Sequence, residues 1–463
     1  MQPTDLAQNP VRLIWNLSWP QVLMMVFNFL IGFVDVWVAG QIDHRVQASL
    51  GIITQSLFLF LIIATAVSGG AVAAISQSIG AGKMLRAERY TGLCLSIAAA
   101  SGLVFLALGL PLRDLFVRAL HVPQDIAPLT GYILEVFLYT LPPYYMMIMQ
   151  NAVFRARRQV MVPLYTMILV TLVNTVGDLG LGLGLWGLPK LGVQGIVWST
   201  FSAITLGAVF GLVVLRLNGT LRRRIFAPFC WIRKAFPYLF KVAWPAGLMQ
   251  IVWHSGYLVL FAITASLPEN SVVALAGMAA GARVESLLFL PAFALNLTAS
   301  ILVGHLLGAG QPEEARRMGL RILGIGLVGI GIMAALLWPF LADVAGFIAP
   351  KAEVQAEAEN YLVYNVLAIP FTLTTMILAG ALAGAGATLY NLLGMGLGTW
   401  LVRLPLAYIL GHLVLGTATG VWISMLASQA FQAAILLYIF MKKDWQRFAM
   451  SKTRNGNHLN GTH

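Results

Sequence analysis

Leu13–Gly40 reads LIWNLSWPQVLMMVFNFLIGFVDVWVAG, and its one charged side chain is Asp35. About 20 predominantly apolar residues suffice to carry a helix across a hydrocarbon core roughly 30 Å thick. Backbone groups have no water to bond there, so only a helix or a closed barrel can span. A barrel strand needs about ten residues with alternating character. Leu13–Gly40 is far longer and does not alternate, so it reads as a helix. A carboxylate in such a segment costs a few kcal/mol or more, and is kept only when buried in protein, paired or functional.

The rest of the chain follows the same pattern. Of its 463 residues, 59% are hydrophobic and 10% charged, with a mean hydropathy of +0.82; a soluble chain carries about 25% charged residues. Twelve apolar runs fall at 11–40, 49–73, 90–111, 127–152, 160–186, 192–215, 237–266, 275–304, 320–343, 359–383, 389–411 and 416–441. The expected fold is an all-α membrane protein with twelve transmembrane helices. The first run is too long for a cleaved leader and lacks a small-residue cleavage site. Cys94 and Cys230 imply neither a disulfide framework nor a metal site.

The net charge of +12 is unevenly spread. With the N-terminus in the cytoplasm, 22 of the 29 Lys and Arg fall on that side. They include Lys83, Arg86 and Arg89, then Arg155, Arg157 and Arg158, then the basic stretch Arg216–Lys241 with Arg223 and Arg224. Arg316, Arg317, Arg321, Lys442, Lys443, Arg447, Lys452 and Arg454 extend the set. Only Arg45, Arg113, Arg118, Lys190 and Lys351 fall opposite, while Arg283 and Arg403 lie inside spans. This bias places both termini in the cytoplasm. The basic charge thus signals topology and contact with anionic lipid rather than a nucleic-acid partner.

The chain repeats itself. Ser18-Trp19-Pro20 opens the first span and Ala243-Trp244-Pro245 the seventh. Ile79-Gly80-Ala81-Gly82 returns as Leu307-Gly308-Ala309-Gly310, and Gly195-Ile196-Val197-Trp198-Ser199 approximately as Gly420-Val421-Trp422-Ile423-Ser424. The offsets are 225, 228 and 225 residues. Six spans is an even number, so the halves share one orientation and form two six-helix bundles related by a pseudo-two-fold along the membrane normal. The expected partition is an N-lobe at 1–218, a linker at 219–236, a C-lobe at 237–441 and a tail at 442–463. A ligand site between two such bundles, with alternating access, is the usual arrangement.

Three acids lie well inside spans, Asp35, Asp178 and Glu285, with Glu135 near a span end. Asn174 and Asp178 are four residues apart and share a helix face. If that face meets the first span, two nearby carboxylates do not both ionise cheaply, and a proton is held near neutral pH and released on exposure. Asn174 can donate to one carboxylate and accept from a protonated one. Tyr139, Ser199 and Thr200 are hydroxyl candidates for the same network. The alternative role for Asp35 and Asp178 is structural hydrogen bonding between helices; no basic residue in either span offers an ion pair. Glu285 is the most economical partner for Arg403, and His254 and His305 read as packing residues. Pro20 removes a backbone bond and can hinge the first span. Phe27, Phe33, Trp37, Met146, Met147 and Met149 are candidates for an adaptable apolar cavity in the N-lobe, suited to lipophilic cations.

The 6+6 spans, the paired Trp-Pro openings, the two GAG turns, Asp35 and Asn174-x-x-x-Asp178 together resemble the multidrug and toxic compound extrusion (MATE) family, from about Leu13 to Met441. Asp35, Asn174 and Asp178 look like the N-lobe site of its DinF-like, proton-coupled branch. The resemblance implies a proton-driven multidrug antiporter of the bacterial inner membrane, a monomer and not an enzyme. It would export cationic or amphiphilic drugs with no cofactor, using H+ as the coupling ion. Protonation of Asp35 would bend the first span and close the N-lobe cavity. Two alternatives are a flippase or exporter of a lipid-linked or other amphiphilic metabolite, and a Na+-coupled exporter using the same carboxylates. The sodium-linked branch places acids on spans seven and ten; here Phe236–Ser266 and the stretch between Tyr361 and Ala383 have none.

Overall fold

A computed structural model describes residues 9–222, 225–349 and 351–450. Arg223 and Arg224 of the basic stretch, and Lys452 and Arg454 of the tail, lie outside the described residues. The described residues contain no strand. Twelve long helices run in order: α1 Pro10–Ile42, α2 His44–Gly80, α3 Met84–Ala119, α4 Ala127–Ala156, α5 Met161–Gly182, α6 Val193–Leu217, α7 Phe229–Ala265, α8 Ser271–Gly308, α9 Pro312–Ile348, α10 Ala352–Gly384, α11 Thr388–Val414 and α12 Ala418–Lys442. Eleven are long and apolar enough to cross a membrane. The remaining one, α4, is 30 residues long and more polar. Each expected span coincides with one helix. Most helices overrun the apolar run, because backbone bonding continues into the interfacial layer after hydrophobicity ends.

The GAG repeats are helix stops. Gly82 and Gly310 sit in the left-handed region with φ of 71° and 75°, where a side chain is disfavoured. Each allows the next amide to fold back: Lys83 N–H donates to the Ser78 carbonyl at 3.0 Å, and Gln311 N–H to that of Leu306 at 2.9 Å. The same closure ends α4, where Gln159 N–H reaches the Phe154 carbonyl at 2.9 Å and Arg158 takes the left-handed position.

The chain divides into two compact units. One comprises Trp15–Ile75 and Leu85–Ala243; the other comprises Ser76–Met84 and the chain from Trp244 onward, with the described residues before Trp15. This differs from the expected partition at 219–236. That stretch is bound into the first unit, with the Tyr90 ring meeting Trp231 edge-on at 5.0 Å and Gly92 lying against the Ile225 carbonyl. The last turn of α2 belongs to the second unit.

In the first unit, α4, α5 and α6 enclose a core of Met147, Val170, Ala203, Ile204 and Ala208. Glycines let these helices approach closely: Gly207 faces Val170 and Met147, and Gly195 lies on the backbone of Leu181 and Gly182. Gly195→Val should therefore lower thermal stability in detergent, by ~1–3 kcal/mol as for other overpacked sites. An unchanged melting temperature would contradict that packing.

In the second unit, α8 and α10 meet through Gly380 on the Asn296 carbonyl and Gly384 on that of Ser300. The end of α2 meets the end of α8 reciprocally: Gly80 lies on the His305 carbonyl and Gly308 on the Gln77 carbonyl. Both equivalences, 77 with 305 and 80 with 308, have the 228-residue offset of the GAG motifs. The contact is a local two-fold in which each repeat presents the same surface to the other.

Candidate functional site

The site lies in the first unit, where α1 crosses α5. Three contacts fix the crossing. Thr171 Oγ1, which donates to the Met167 carbonyl of its own helix at 2.8 Å, lies 3.5 Å from the Phe27 carbonyl. The carboxyl of Asp35 lies within hydrogen-bonding reach of Asp178 and Asn174. One turn further along, a Cβ on Gly182 would come within 3.2 Å of Val38. Asp35 and Val38 share one face of α1, and Asp178 and Gly182 one face of α5, so the two faces register turn for turn.

Asp178 opens a π-helical turn, Asp178–Gly182, that continues from the α-helical part Met161–Gly177. A π turn is a local widening often found at functional sites. It forms here in a glycine-rich stretch, Gly177-Asp178-Leu179-Gly180-Leu181-Gly182, while Gly177 lies against the Ser199 hydroxyl.

The site is rich in acceptors and poor in donors. Asp178 and Asn174 are fully buried, each at 0% exposure. Asp35 Oδ1, both Asp178 carboxylate oxygens and Asn174 Oδ1 are shielded and receive no hydrogen bond. The Asn174 amide does donate, to Thr200 Oγ1 at 3.3 Å. Thr200 in turn donates to the Ile196 carbonyl at 3.1 Å, and Ser199 to that of Gly195 at 2.6 Å. Both hydroxyls spend their protons on their own helix. Four oxygens without a donor thus lie close together in one buried place, an arrangement that a proton between the carboxyls would satisfy.

A cavity of about 50 Å³ adjoins the site, lined by Asn174 and Thr200 together with Asn28, Ile31, Tyr144 and Met147. Of the sequence candidates, the structure brings Met147 to the cavity and packs Met146 beside the core cluster. Met149 is wholly buried, and Phe27 contributes its carbonyl to α5. Phe33 and Trp37 are 59% and 48% exposed and do not line it. Each is two residues from Asp35, and 100° per residue turns it away. The signal for the lining residues was present: Asn28, Ile31 and Asp35 follow the i, i+3, i+7 spacing of one face. Tyr139 stands exposed on α4 and makes no hydrogen bond to the acid pair. Pro20 sits inside an uninterrupted α1.

The other acids inside or near spans are engaged. Glu135 pairs with Arg113, which also holds Asp114 at 2.9 Å. In the second unit, Glu285 accepts from the Tyr361 hydroxyl. Arg403, only 5% exposed, donates from Nε to Ser428 Oγ at 2.8 Å. Arg403 and Glu285, the expected pair, make no direct ion pair among the described residues but lie within electrostatic reach of each other. Arg403 ends a π-helical turn of its own, Gly398–Arg403, and its bond to Ser428 echoes that of Asn174 to Thr200, 229 and 228 residues earlier. His305 Nδ1 lies 2.8 Å from the Ile301 carbonyl, and His254 packs edge-on against Trp253 at 4.9 Å.

Comparison with known proteins agrees with this architecture. The probable multidrug resistance protein NorM of Thermotoga maritima is 23% identical over 446 residues, covering 94% of this chain and 93% of that protein. The multidrug resistance protein NorM of Burkholderia vietnamiensis is 27% identical, covering 95% and 96%. A crystal structure of MATE in the bent conformation superposes with a TM-score of 0.86 at 19% identity, covering 95% and 96%. An outward-facing multidrug resistance MATE family transporter of the MOP superfamily gives 0.85 at 20%, covering 95% and 97%. The MatE family model matches residues 20–179 and 245–409, one stretch in each repeat. The chain is therefore an integral membrane transporter, not an enzyme, and belongs to the MatE family.

Proposed function

We propose that this chain is a proton-driven antiporter that exports amphiphilic cationic drugs, with both termini in the cytoplasm. The observation that carries the reading is the set of starved oxygens on Asp35, Asp178 and Asn174 beside a cavity. One proton supplies the missing donor between the carboxyls. Loss of that proton leaves two like charges together in a buried site, which drives α1 and α5 apart. Proton occupancy is thereby tied to the fit of α1 against α5, and so to the volume of the adjoining cavity. Pro20, fifteen residues before Asp35, gives α1 a point at which to bend. Relatives named as multidrug resistance proteins support the substrate class. MATE structures in bent and in straight conformations are consistent with a fold that takes two states.

The same oxygens would also suit Na+, a hard cation that takes oxygen ligands, so the coupling ion is the point to test. Proteoliposomes loaded with a fluorescent cationic dye separate the two. A pH gradient in sodium-free buffer should drive dye movement, with protons appearing on the opposite side. A sodium gradient at equal pH should not. Movement driven by sodium alone would overturn proton coupling and keep the site; movement driven by neither would overturn the antiport reading.

A further inference from the structure

The second unit holds a larger cavity, of about 360 Å³, formed by α8, the end of α9 and the start of α10. Its walls are small and apolar, Ala276, Ala279, Ala280 and Ile348, and its polar groups are Arg283 and Lys351. Both cations are exposed, and neither side chain makes a hydrogen bond or ion pair among the described residues. The acids nearest in sequence do not neutralise them. Glu285 is bound to Tyr361, and Glu357 accepts from the Trp422 indole at 2.6 Å. Glu353 is exposed on the first turn of α10 and pairs with neither.

Depth adds to the argument. α8 has 38 residues, roughly 57 Å of helix, against a hydrocarbon core of about 30 Å. Arg283 stands twelve residues from its first residue, about 18 Å along. With equal overhang at the two ends, it lies roughly 5 Å inside the hydrocarbon boundary. From there its side chain reaches the headgroup layer. Phe347 and Val272, 91% and 77% exposed, flank the cavity with apolar surface.

We infer that this cavity binds an anionic phospholipid, the headgroup phosphate on Arg283 and Lys351 and an acyl chain along the alanine wall. Arginine's planar fork matches a phosphate, and lysine adds a point charge. Basic pockets between transmembrane helices on the cytoplasmic side bind acidic headgroups; this one would apply the same chemistry to the opposite leaflet. The site lies at the end of α8 remote from the GAG turn, hence in the outer leaflet under the proposed topology. It is separate from Asp35 and does not depend on the coupling ion.

Native mass spectrometry of the purified full chain tests this, with phosphatidylglycerol and phosphatidylcholine offered in equal amounts. The wild type should retain one phosphatidylglycerol at least about tenfold more than phosphatidylcholine, whose choline adds a cation beside Arg283 and Lys351; tenfold corresponds to about 1.4 kcal/mol. Arg283→Gln with Lys351→Gln should remove that preference. Ala280→Phe, which fills the slot and leaves the charges, should also release the lipid. Arg45→Gln with Arg118→Gln, exposed residues of the first unit, should not. Retention unchanged in both cavity variants would overturn the site. If inorganic phosphate binds at Arg283 and Lys351 but no lipid is retained, the cavity takes a free anion and the lipid assignment fails.

Discussion

Asp35→Asn is expected to abolish drug movement driven by a pH gradient while leaving drug binding intact. Asparagine has the shape of a protonated aspartic acid and carries a permanent donor. Its amide would bond to Asp178 as the shared proton does, but cannot leave. A one-unit pH step supports about a tenfold drug gradient for each proton exchanged, and the variant should build none. Asp178→Asn should fail in the same way from the other side. An independent readout follows from the starved oxygens. A buried polar group without a partner costs about 1–3 kcal/mol, so either asparagine should raise the melting temperature as it removes transport. Retained coupling in both variants would make the pair a structural bond and move the search to Glu285. Retained coupling in one variant alone would assign the proton to the other carboxyl.

Gly80→Val and Gly308→Val should each stop transport, and to the same degree. Each side chain would enter the backbone of the opposing helix end, at His305 or Gln77. Backbone cannot move aside as a flexible side chain can, so α2 and α8 must separate at this end. Any cycle that closes that end is then blocked. Because the two close approaches form one reciprocal contact, forcing one apart also relieves the other. The double variant should therefore be little less stable to heat than either single one, a departure from additivity that a double-mutant cycle on thermal unfolding measures. Equal, additive losses would mean that the two glycines act separately. Thermal unfolding checks that the variants remain folded.

The division between what could be read from the sequence and what could not follows physical lines. Helices were legible because hydrocarbon demands long apolar runs, and Asp35 stood out for violating that demand. The repeat was legible in short motifs because each does a job fixed by backbone geometry, such as the left-handed glycines Gly82 and Gly310. Facing was harder. Phe33 and Trp37 share with Ile31 an apolar nature and a place near Asp35, and only the rotation of α1 sorts them. Pairing was harder still. Arg403 turns to Ser428, and Glu285 to Tyr361, because tertiary geometry offers neutral partners at shorter range than the opposite charge. The unit boundary moved because contacts such as Tyr90 with Trp231 leave no trace in composition.

The widened turn at Asp178–Gly182 has a consequence for how this protein can vary. A π turn takes an extra residue to make the same advance around the axis. Deleting one residue from Leu179–Gly182 would return the segment to α-helical register. The apolar faces of α5 before and after it would lose little, and Asp178, before the deletion, would keep its alignment with Asn174; only the turn beneath Gly195 would tighten. Ordinary deletions in a transmembrane helix rotate everything downstream and destroy packing. Here a single-codon loss is expected to leave a folded chain that keeps Asp178 beside Asp35. The distortion therefore gives α5 one place where a residue can be lost or gained in a single genetic step with both the acid site and the scaffold that carries it retained.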